Sequence, residues 1–416
     1  MPARRGGPLA ALAPVALLAA LPVLASLWKQ APCLDRGWGG QEPFWRFCYS
    51  DLAVGVQTSG AQRGVAAWFS GDVPLDHPPL TGAVVSLLAG LAPGEGALGA
   101  QRWVLGVWAV LAVVALVLMA WWVLSVPGHP GADPLQVVLA PVAALTLLLS
   151  PDLLGVVLAT GGLWAWSRRH PVLAGALLGA GLMARTYPVL LLVVVALHAW
   201  RTGRERELVR VVGGASAAVV VVAGPLLLTS PSTLTRAWSA SFENAAGLGS
   251  LWYLPTLAGA SWSPSVLTTV SLLGVLLALA LAGVLALGAP RTPPVGAVAL
   301  LVVAVVLATG RSFPVQSSLW LVPLVALAGL RWRDHLVWAL AEAVHLVAVW
   351  LHLGGLQDTD RSLPGSWYAV AVLLRVGAVV FLAVRAWQVA TQLCRDEDVT
   401  LENAPGPAVD VGSGRI

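Results

Sequence analysis

Two short acidic motifs in an otherwise apolar chain contain the residue types best suited to chemistry. Asp51 ends the sequence Cys48-Tyr49-Ser50-Asp51, and Asp76 opens the sequence Asp76-His77-Pro78-Pro79-Leu80-Thr81-Gly82. A carboxylate in a partly desolvated cleft can act as a general base that takes a proton from a hydroxyl group. The alternative for Asp51 is a helix cap before Leu52, because aspartate is a favoured capping residue. Asp76 and His77 could likewise either take part in chemistry or lie at the start of a helix, since the prolines that follow them can set a helix start.

Two arginines form a second group that could bind a ligand. Arg185 lies in Arg185-Thr186-Tyr187-Pro188, and Arg311 precedes Ser312-Phe313-Pro314-Val315-Gln316. A guanidinium group matches the oxygens of a phosphate with two parallel hydrogen bonds, so either arginine could hold a lipid phosphate. The alternative is an arginine that reaches from a helix end to the headgroups of ordinary lipids.

Metal sites are weakly indicated. Glu342 and His345 share one helix face, a pattern that can supply half of a carboxylate metal site, but the chain has no second copy. We predict instead a buried ion pair between Glu342 and Arg385 in the next, antiparallel helix. A divalent metal could also be held by Asp51, Asp76 and His77, although their spacing does not require one. The expected cofactor is therefore none, and the absence of a glycine-rich nucleotide loop predicts that any group donor is embedded in the membrane.

The composition predicts the elements that must position these residues. The chain has 416 residues, of which 58% are hydrophobic and only 11% are charged, and this bias is typical of a polytopic membrane protein. Runs rich in Leu, Val and Ala without alternation favour helices over a β-barrel. The predicted fold is all-α, with about twelve transmembrane helices in one domain over residues 1–393. Residues 394–416, acidic and then rich in Gly and Pro, are predicted to form a disordered cytoplasmic tail. The twelve helices are predicted to begin near Leu9, Gln101, Leu135, Asp152, Pro171, Pro188, Leu208, Val266, Val295, Ser318, His335 and Trp367.

The arginines indicate the topology. The formal net charge is +4, and the arginines cluster in short loops, which indicates the cytoplasmic side of a plasma membrane and not a nucleic-acid site. Both termini are predicted to be cytoplasmic, with an uncleaved anchor over residues 9–28; a cleaved signal peptide is the alternative. Residues 29–100 then form a large outer loop. Its apolar run 79–91 reaches only ~20 Å, short of a ~30 Å hydrocarbon core, so we predict a half-inserted helix.

Two of the three cysteines fall in this outer loop. Cys33 and Cys48 would face an oxidising compartment, and we predict a disulfide between them, with two free thiols as the alternative. In the chain-entropy treatment such a loop of about sixteen residues contributes ~3 kcal/mol.

Five short motifs, in their order along the chain, resemble the GT-C class of integral-membrane glycosyltransferases. The resemblance covers about residues 33–387 and is greatest to the actinobacterial glycosyltransferase family 87, whose members are polyprenyl-phosphate-mannose-dependent mannosyltransferases. The matching motifs are Cys48-Tyr49-Ser50-Asp51; Asp76-His77-Pro78-Pro79-Leu80-Thr81-Gly82; Ser150-Pro151-Asp152-Leu153-Leu154 with the later Leu163-Trp164-Ala165-Trp166-Ser167-Arg168; Arg185-Thr186-Tyr187-Pro188; and Ser312-Phe313-Pro314-Val315-Gln316 with Leu319-Trp320-Leu321-Val322-Pro323.

The resemblance implies a function and a set of site residues. It implies an outer loop with juxtamembrane helices, a polyprenyl-phosphate sugar as donor, and an inverting transfer of a hexose, with mannose expected, to an envelope lipid, glycan or protein. The acidic catalytic residue falls on Asp51. The substrate-binding residues implied by the matching motifs are Asp76, His77, Arg185, Tyr187, Arg311 and Gln316.

The chain differs from the family pattern at two motifs. The family usually has Glu-Tyr-Pro where this chain has Asp76-His77-Pro78, and the His-Pro-Pro-Leu form resembles the protein O-mannosyltransferase branch of the class. Arg185-Thr186 stands where the family often has Lys before Tyr-Pro. The acceptor and the sugar therefore stay open. A transporter or lipid flippase, or a catalytically inactive relative, is the alternative, although the chain shows no internal repeat of the kind that many transporters contain.

Overall fold

The computed structural model describes residues 8–94, 96–127, 131–243, 245–356 and 361–402. This part of the chain forms eighteen α-helices, with short 3₁₀ helices at Ala61–Arg63, Leu251–Ala258 and Val315–Trp320, and it contains no β-strand. The α-helices are α1 Pro8–Leu34, α2 Glu42–Trp45, α3 Asp51–Ser59, α4 Gly64–Phe69, α5 Pro79–Gly90, α6 Ala97–Leu124, α7 Leu135–Val138, α8 Pro141–Thr146, α9 Leu153–Ser167, α10 Pro171–Ala184, α11 Pro188–Arg201, α12 Glu205–Thr229, α13 Pro231–Glu243, α14 Pro264–Gly288, α15 Val295–Thr309, α16 Leu321–Ala328, α17 Trp332–Gly354 and α18 Gly365–Glu402.

Six of the described helices are long and apolar enough to cross a membrane. They are α1, α6, α12, α14, α17 and α18, and their apolar spans contain 21 to 28 residues. At ~1.5 Å per residue, even the shortest reaches the ~30 Å of a hydrocarbon core. The prediction of an all-helical membrane protein is therefore confirmed. Shorter apolar helices of 10–17 residues complete the bundle.

Helix starts were predicted more accurately than helix continuity. The predicted helix from Leu135 is broken into α7 and α8 at Pro141, because proline has no N–H and its ring clashes with the preceding turn. At the C-terminal end of α8, side chains satisfy two carbonyl groups: Lys29 Nζ donates to the carbonyl of Leu145, and Ser50 Oγ donates to that of Leu148 at 2.7 Å. Helix α13 was not predicted, since its sequence is largely polar.

Hydrogen bonds between residues at or near helix ends define two ends of the bundle. At one end, here called the site end, Thr81 Oγ1 donates to the carbonyl of Ala184 at 2.8 Å, and Thr229 Oγ1 donates to that of Phe69 at 2.7 Å. At the opposite end, Gln136 Nε2 donates to the carbonyl of Leu330 at 2.6 Å. The segment between α1 and α6 folds over the site end and contains α2 to α5.

The first long loop is tied together covalently and by close packing. The predicted disulfide between Cys33 and Cys48 is confirmed, and it joins the end of α1 to the motif that contains Asp51. Helix α5 has only 12 residues and is therefore as short as the sequence predicts. It contacts α4 so closely that a Cβ on Gly90 would lie 2.6 Å from the Cα of Gly64, so the contact requires glycine.

The predicted Glu342–Arg385 ion pair is wrong. Arg375 Nε donates to Glu342 Oε2 at 2.8 Å, whereas Arg385 Nε donates to Asp334 Oδ2 at 3.1 Å. Because α17 begins at Trp332, Glu342 lies about ten residues, or ~15 Å, from the helix start, deeper than expected. In the antiparallel helix α18, that greater depth matches Arg375.

Helix α18 continues beyond the predicted domain boundary at residue 393. It ends at Glu402, and no glycine or proline occurs between Gly377 and Pro405 to stop it earlier. Residues 403–416, the remainder of the predicted tail, lie outside the described residues.

Candidate functional site

A polar cavity of about 470 Å³ opens at the site end of the bundle. Its walls come from the turn before α5, the α10–α11 turn, the C-terminal end of α15 and the 3₁₀ helix Val315–Trp320. Its charged and hydrogen-bonding side chains include those of Asp76, Asp152, Arg185, Arg311, Gln316 and Trp320. Four of the predicted site residues therefore meet in one cavity, namely Asp76, Arg185, Arg311 and Gln316.

Asp51 is the first residue of α3 but does not cap it. Ser50 is the N-cap, and its Oγ accepts a hydrogen bond from the Ala53 N–H at 3.4 Å. The Asp51 carboxylate instead accepts hydrogen bonds from two neutral side chains: the Tyr49 phenol and Gln316 Nε2, the latter at 3.1 Å. Gln316 also lines the cavity, so it connects Asp51 to the cavity.

Burial raises the pKa of the Asp51 carboxyl above its ordinary value, and the nearby charge of Asp152 acts in the same direction. The hydrogen bond from Tyr49, the charge of Arg185 and the hydrogen bond from Gln316 oppose this shift in pKa. Burial also raises the pKa of Tyr49, so its phenol keeps the proton that it donates to Asp51. Asp51 is therefore a stronger proton acceptor than an exposed aspartate, once it is ionised.

An aromatic cluster fixes the backbone before Asp51. Tyr49 stacks on Phe44 of α2 with ring centroids 4.5 Å apart, and both rings contact Trp350 of α17. Together with the Cys33–Cys48 disulfide, these contacts hold the motif against two different parts of the bundle. The position of Asp51 thus depends on tertiary packing that its local sequence does not reveal.

Asp152 is a site residue that the sequence-based assignment left out. Its carboxylate accepts hydrogen bonds from Ser150 Oγ at 2.7 Å and Trp320 Nε1 at 2.7 Å, and it forms an ion pair with Arg185. The turn before it is held beside α3, because the Leu52 N–H donates to the carbonyl of Leu149 at 3.3 Å. The signal that could have identified it is the Ser-Pro-Asp motif, an acidic residue directly before a buried apolar helix.

The α10–α11 turn contributes a cation and an aromatic ring. Arg185 follows α10 and pairs with Asp152, while its buried Nε has no hydrogen-bond partner among the described residues. Tyr187 is buried and stacks on Trp320 with centroids 4.6 Å apart and planes inclined by 13°. Tyr187 thus supports a cavity wall formed by Trp320.

Arg311 also lines the cavity and follows α15. Its Nη1 donates to the Thr268 hydroxyl of α14 at 3.1 Å, and its backbone carbonyl accepts from the Gly247 N–H at 2.9 Å. Because Arg311 and Arg185 both line the cavity, it contains two guanidinium groups. This is the donor set that suits a phosphate group.

Asp76 and His77 occupy different environments. Asp76 is exposed and lines the cavity, but His77 does not line it. The imidazole of His77 lies against α3, with Nε2 3.9 Å from the position of a Cβ on Gly55. Burial, helped by the charge of Arg185, lowers the pKa of His77 to about 3, so this imidazole is neutral at physiological pH. Within the described residues, no group of three His, Cys, Asp or Glu side chains is placed to hold a metal ion.

A scan against models of protein families finds no family that matches the chain, and a search of curated proteins finds no significant match. Any activity of the cavity must therefore be inferred from its own residues. These offer two guanidinium groups as anion ligands, and Gln316 connects them to Asp51, a partly buried carboxylate beside the cavity that can accept a proton.

Proposed function

We propose that the chain is an inverting GT-C glycosyltransferase that moves a hexose, with mannose expected, from a polyprenyl-phosphate donor to an envelope lipid, glycan or protein. The observation that carries the proposal is the partly buried Asp51 carboxylate, linked by Gln316 to a cavity with two arginines at one end of an apolar helical bundle. A base, an anion site and a membrane-embedded frame suit transfer from a lipid-linked sugar.

In the proposed reaction, Asp51 accepts the proton of an acceptor hydroxyl. The resulting oxygen attacks the anomeric carbon, the bond between that carbon and the phosphate oxygen breaks, and the polyprenyl phosphate leaves with the bonding electron pair. Attack opposite the leaving group inverts the configuration at the anomeric carbon. The elevated pKa of Asp51, caused mainly by burial, suits it to accept this proton once ionised.

The departing phosphate gains negative charge as its bond to the sugar breaks, and fixed cationic donors stabilise such charge. Arg185 and Arg311, which both line the cavity, supply these donors. The buried Arg185 Nε, which has no partner among the described residues, offers one N–H for a phosphate oxygen. Arg185 also stays paired with Asp152, which keeps its guanidinium plane in place.

The proposed topology has about twelve membrane crossings, with both termini in the cytoplasm and the site end on the outer face of the plasma membrane. Twelve crossings result if α5 lies in the outer loop and if α7 with α8, and Val315–Trp320 with α16, each count as one crossing. Arginines at the end opposite the cavity, including Arg201 and Arg204, support a cytoplasmic assignment for that end.

The direct test is transfer by the purified protein. Incubation with radiolabelled polyprenyl-phosphate mannose and an envelope lipid extract should yield a labelled glycolipid or glycan together with free polyprenyl phosphate. A nucleotide-linked mannose serves as control and should give no product. A donor that stays intact in every incubation contradicts the proposal, and movement of intact donor across vesicle membranes supports a flippase instead.

A further inference from the structure

A buried ion pair outside the cavity contacts the segment that forms one of its walls. Arg375 of α18 is fully buried, and Glu342 of α17 is 2% exposed. Neither residue lines the cavity, which is bordered by residues of segment 312–318, including Gln316. Arg375 nevertheless donates hydrogen bonds to that segment at the carbonyls of Phe313 and Pro314 and at Ser318 Oγ.

These contacts occur deep in the bundle, where backbone groups need partners. Arg375 is about ten residues into α18, which corresponds to ~15 Å from the start of the helix. Residues 312–314 of this segment are irregular and residues 315–318 begin a 3₁₀ helix. Backbone that is not α-helical is tolerated at membrane depth only where protein or a cavity surrounds it. Pro314 also lacks an N–H, so the usual helical pattern of hydrogen bonds cannot form here.

The geometry of the guanidinium group fits this task. Its Nε donates to Glu342 at 2.8 Å, and Nη2 donates to the Pro314 carbonyl at 3.0 Å and to Ser318 Oγ at 2.8 Å. The central carbon of the Arg375 guanidinium group, Cζ, lies 3.5 Å from the centroid of the Phe313 ring. Glu342 is itself held by Trp338 Nε1 at 3.0 Å. With the bond from Nη1 to the Phe313 carbonyl, all three guanidinium nitrogens donate hydrogen bonds in fixed directions, which a lysine could not reproduce.

We propose that Glu342 and Arg375 form a positioning clamp that holds segment 312–318 so that Gln316 reaches Asp51. The clamp contacts the segment on both sides of Gln316, whose Nε2 donates to Asp51 Oδ2 at 3.1 Å. The clamp acts through Gln316 and not on any substrate. The proposal depends on the proposed function only for its kinetic test.

The first test measures how accessible segment 312–318 is to a chemical label, and it does not depend on enzyme activity. Ser317 is 2% exposed, so a Ser317→Cys reporter, with Cys394 replaced by Ala, should react slowly with a maleimide. The double variant Glu342→Met, Arg375→Met removes the donors without leaving a single buried charge, and such replacements commonly preserve folding. Labelling should then rise by about tenfold or more, since each lost hydrogen bond changes an opening equilibrium by about two- to tenfold.

The same two helices provide a matched control. Asp334 and Arg385 form a second α17–α18 ion pair, with Nε–Oδ2 3.1 Å, at the end opposite the cavity. The variant Asp334→Met, Arg385→Met should leave the labelling rate unchanged. If the Glu342/Arg375 double variant does not fold, Arg375→Lys keeps the charge but loses the fork, and it should give an intermediate increase. A folded variant of either kind that labels at the wild-type rate overturns the proposal.

The second test uses the transfer reaction. Because the Gln316 hydrogen bond lowers the pKa of Asp51, its loss should move the acid limb of the rate profile to higher pH. Gln316→Leu and the clamp variant should give the same shift, and their combination should add nothing further. If the two variants shift the acid limb independently, so that the combined variant shows a larger shift than either one, the proposal is overturned. If the wild type transfers no sugar at all, the proposed function fails while the labelling result still decides the clamp.

Discussion

Three aspartates lie at or near the cavity, and they differ in the side chains that bind their carboxylates. Asp152 is occupied by Ser150, Trp320 and Arg185, while Asp76 is exposed. Asp51 is partly buried and is held by two uncharged donors, Tyr49 and Gln316. Because Asp51 has uncharged partners and burial raises its pKa, we propose Asp51 as the general base.

Tyr49→Phe should shift the pH dependence of the proposed transfer. The phenol hydrogen bond stabilises the ionised carboxylate and lowers the pKa of Asp51, so its removal should raise that pKa further. Since the base works only when ionised, the acid limb of the rate profile should move to higher pH. Rate profiles of the purified variant measure this shift.

Tyr253→Phe is the matched control, because the Tyr253 hydroxyl pairs with His352 Nε2 at 3.2 Å and does not contact Asp51. Its acid limb should coincide with that of the wild type. An acid limb of Tyr49→Phe that stays in place, or that moves to lower pH, contradicts the assigned interaction.

At the scale of elements, the disulfide links α1 to the motif that precedes α3. Replacing both Cys33 and Cys48 by Ala should lower the free energy of unfolding by ~3 kcal/mol, because the open loop gains conformational entropy in the unfolded state. Thermal melts in detergent measure the loss, and Cys394→Ala serves as the control. A melting temperature equal to that of the control contradicts a stabilising role.

Sequence patterns predict some elements well and others poorly, for physical reasons. Long apolar runs predicted α6, α14 and α18, because burial in lipid demands length and apolarity over the whole segment. The break at Pro141 and the polar helix α13 depend on partners elsewhere in the chain. The Glu342 pairing was wrong because ion pairs depend on depth, and a few residues of error in a helix start change depth by several ångströms.

The site was predictable to a similar extent. The motifs identified Asp51, Arg185, Arg311 and Gln316 separately, but 265 positions separate Asp51 from the Gln316 side chain that it contacts. No local spacing encodes such a contact. Asp152 was passed over because its importance comes from three partners that converge only after folding.

At the scale of the whole molecule, the polar cavity lies at one end of an apolar bundle, and several arginines lie at the other. The proposed orientation predicts opposite labelling of two exposed positions in a Cys394→Ala background. Ala97→Cys, at the start of α6, should react with an impermeant maleimide in intact cells. Glu205→Cys, at the start of α12, should react only after permeabilisation.

Each of these two positions is the control for the other. Ala97 is preferred to Glu95, which lies outside the described residues. Labelling of position 97 only from the cytoplasmic side would contradict the orientation and, with it, the placement of the cavity on the outer face.

The most direct test of the proposed function is the rate of sugar transfer by Asp51→Asn. The asparagine keeps the size of the side chain and one acceptor oxygen for the hydrogen bonds from Tyr49 and Gln316, but it cannot accept the proton of the acceptor hydroxyl. Glu42→Gln is the matched control, because Glu42 is an exposed carboxylate of the same loop that pairs only with Arg46 among the described ion pairs. Loss of general-base assistance should reduce transfer by ~10²–10⁴ with little change in thermal stability, while Glu42→Gln keeps the wild-type rate. Transfer by Asp51→Asn at more than about a tenth of the wild-type rate, far above the residual expected without a base, would contradict the assignment of Asp51 as the catalytic base.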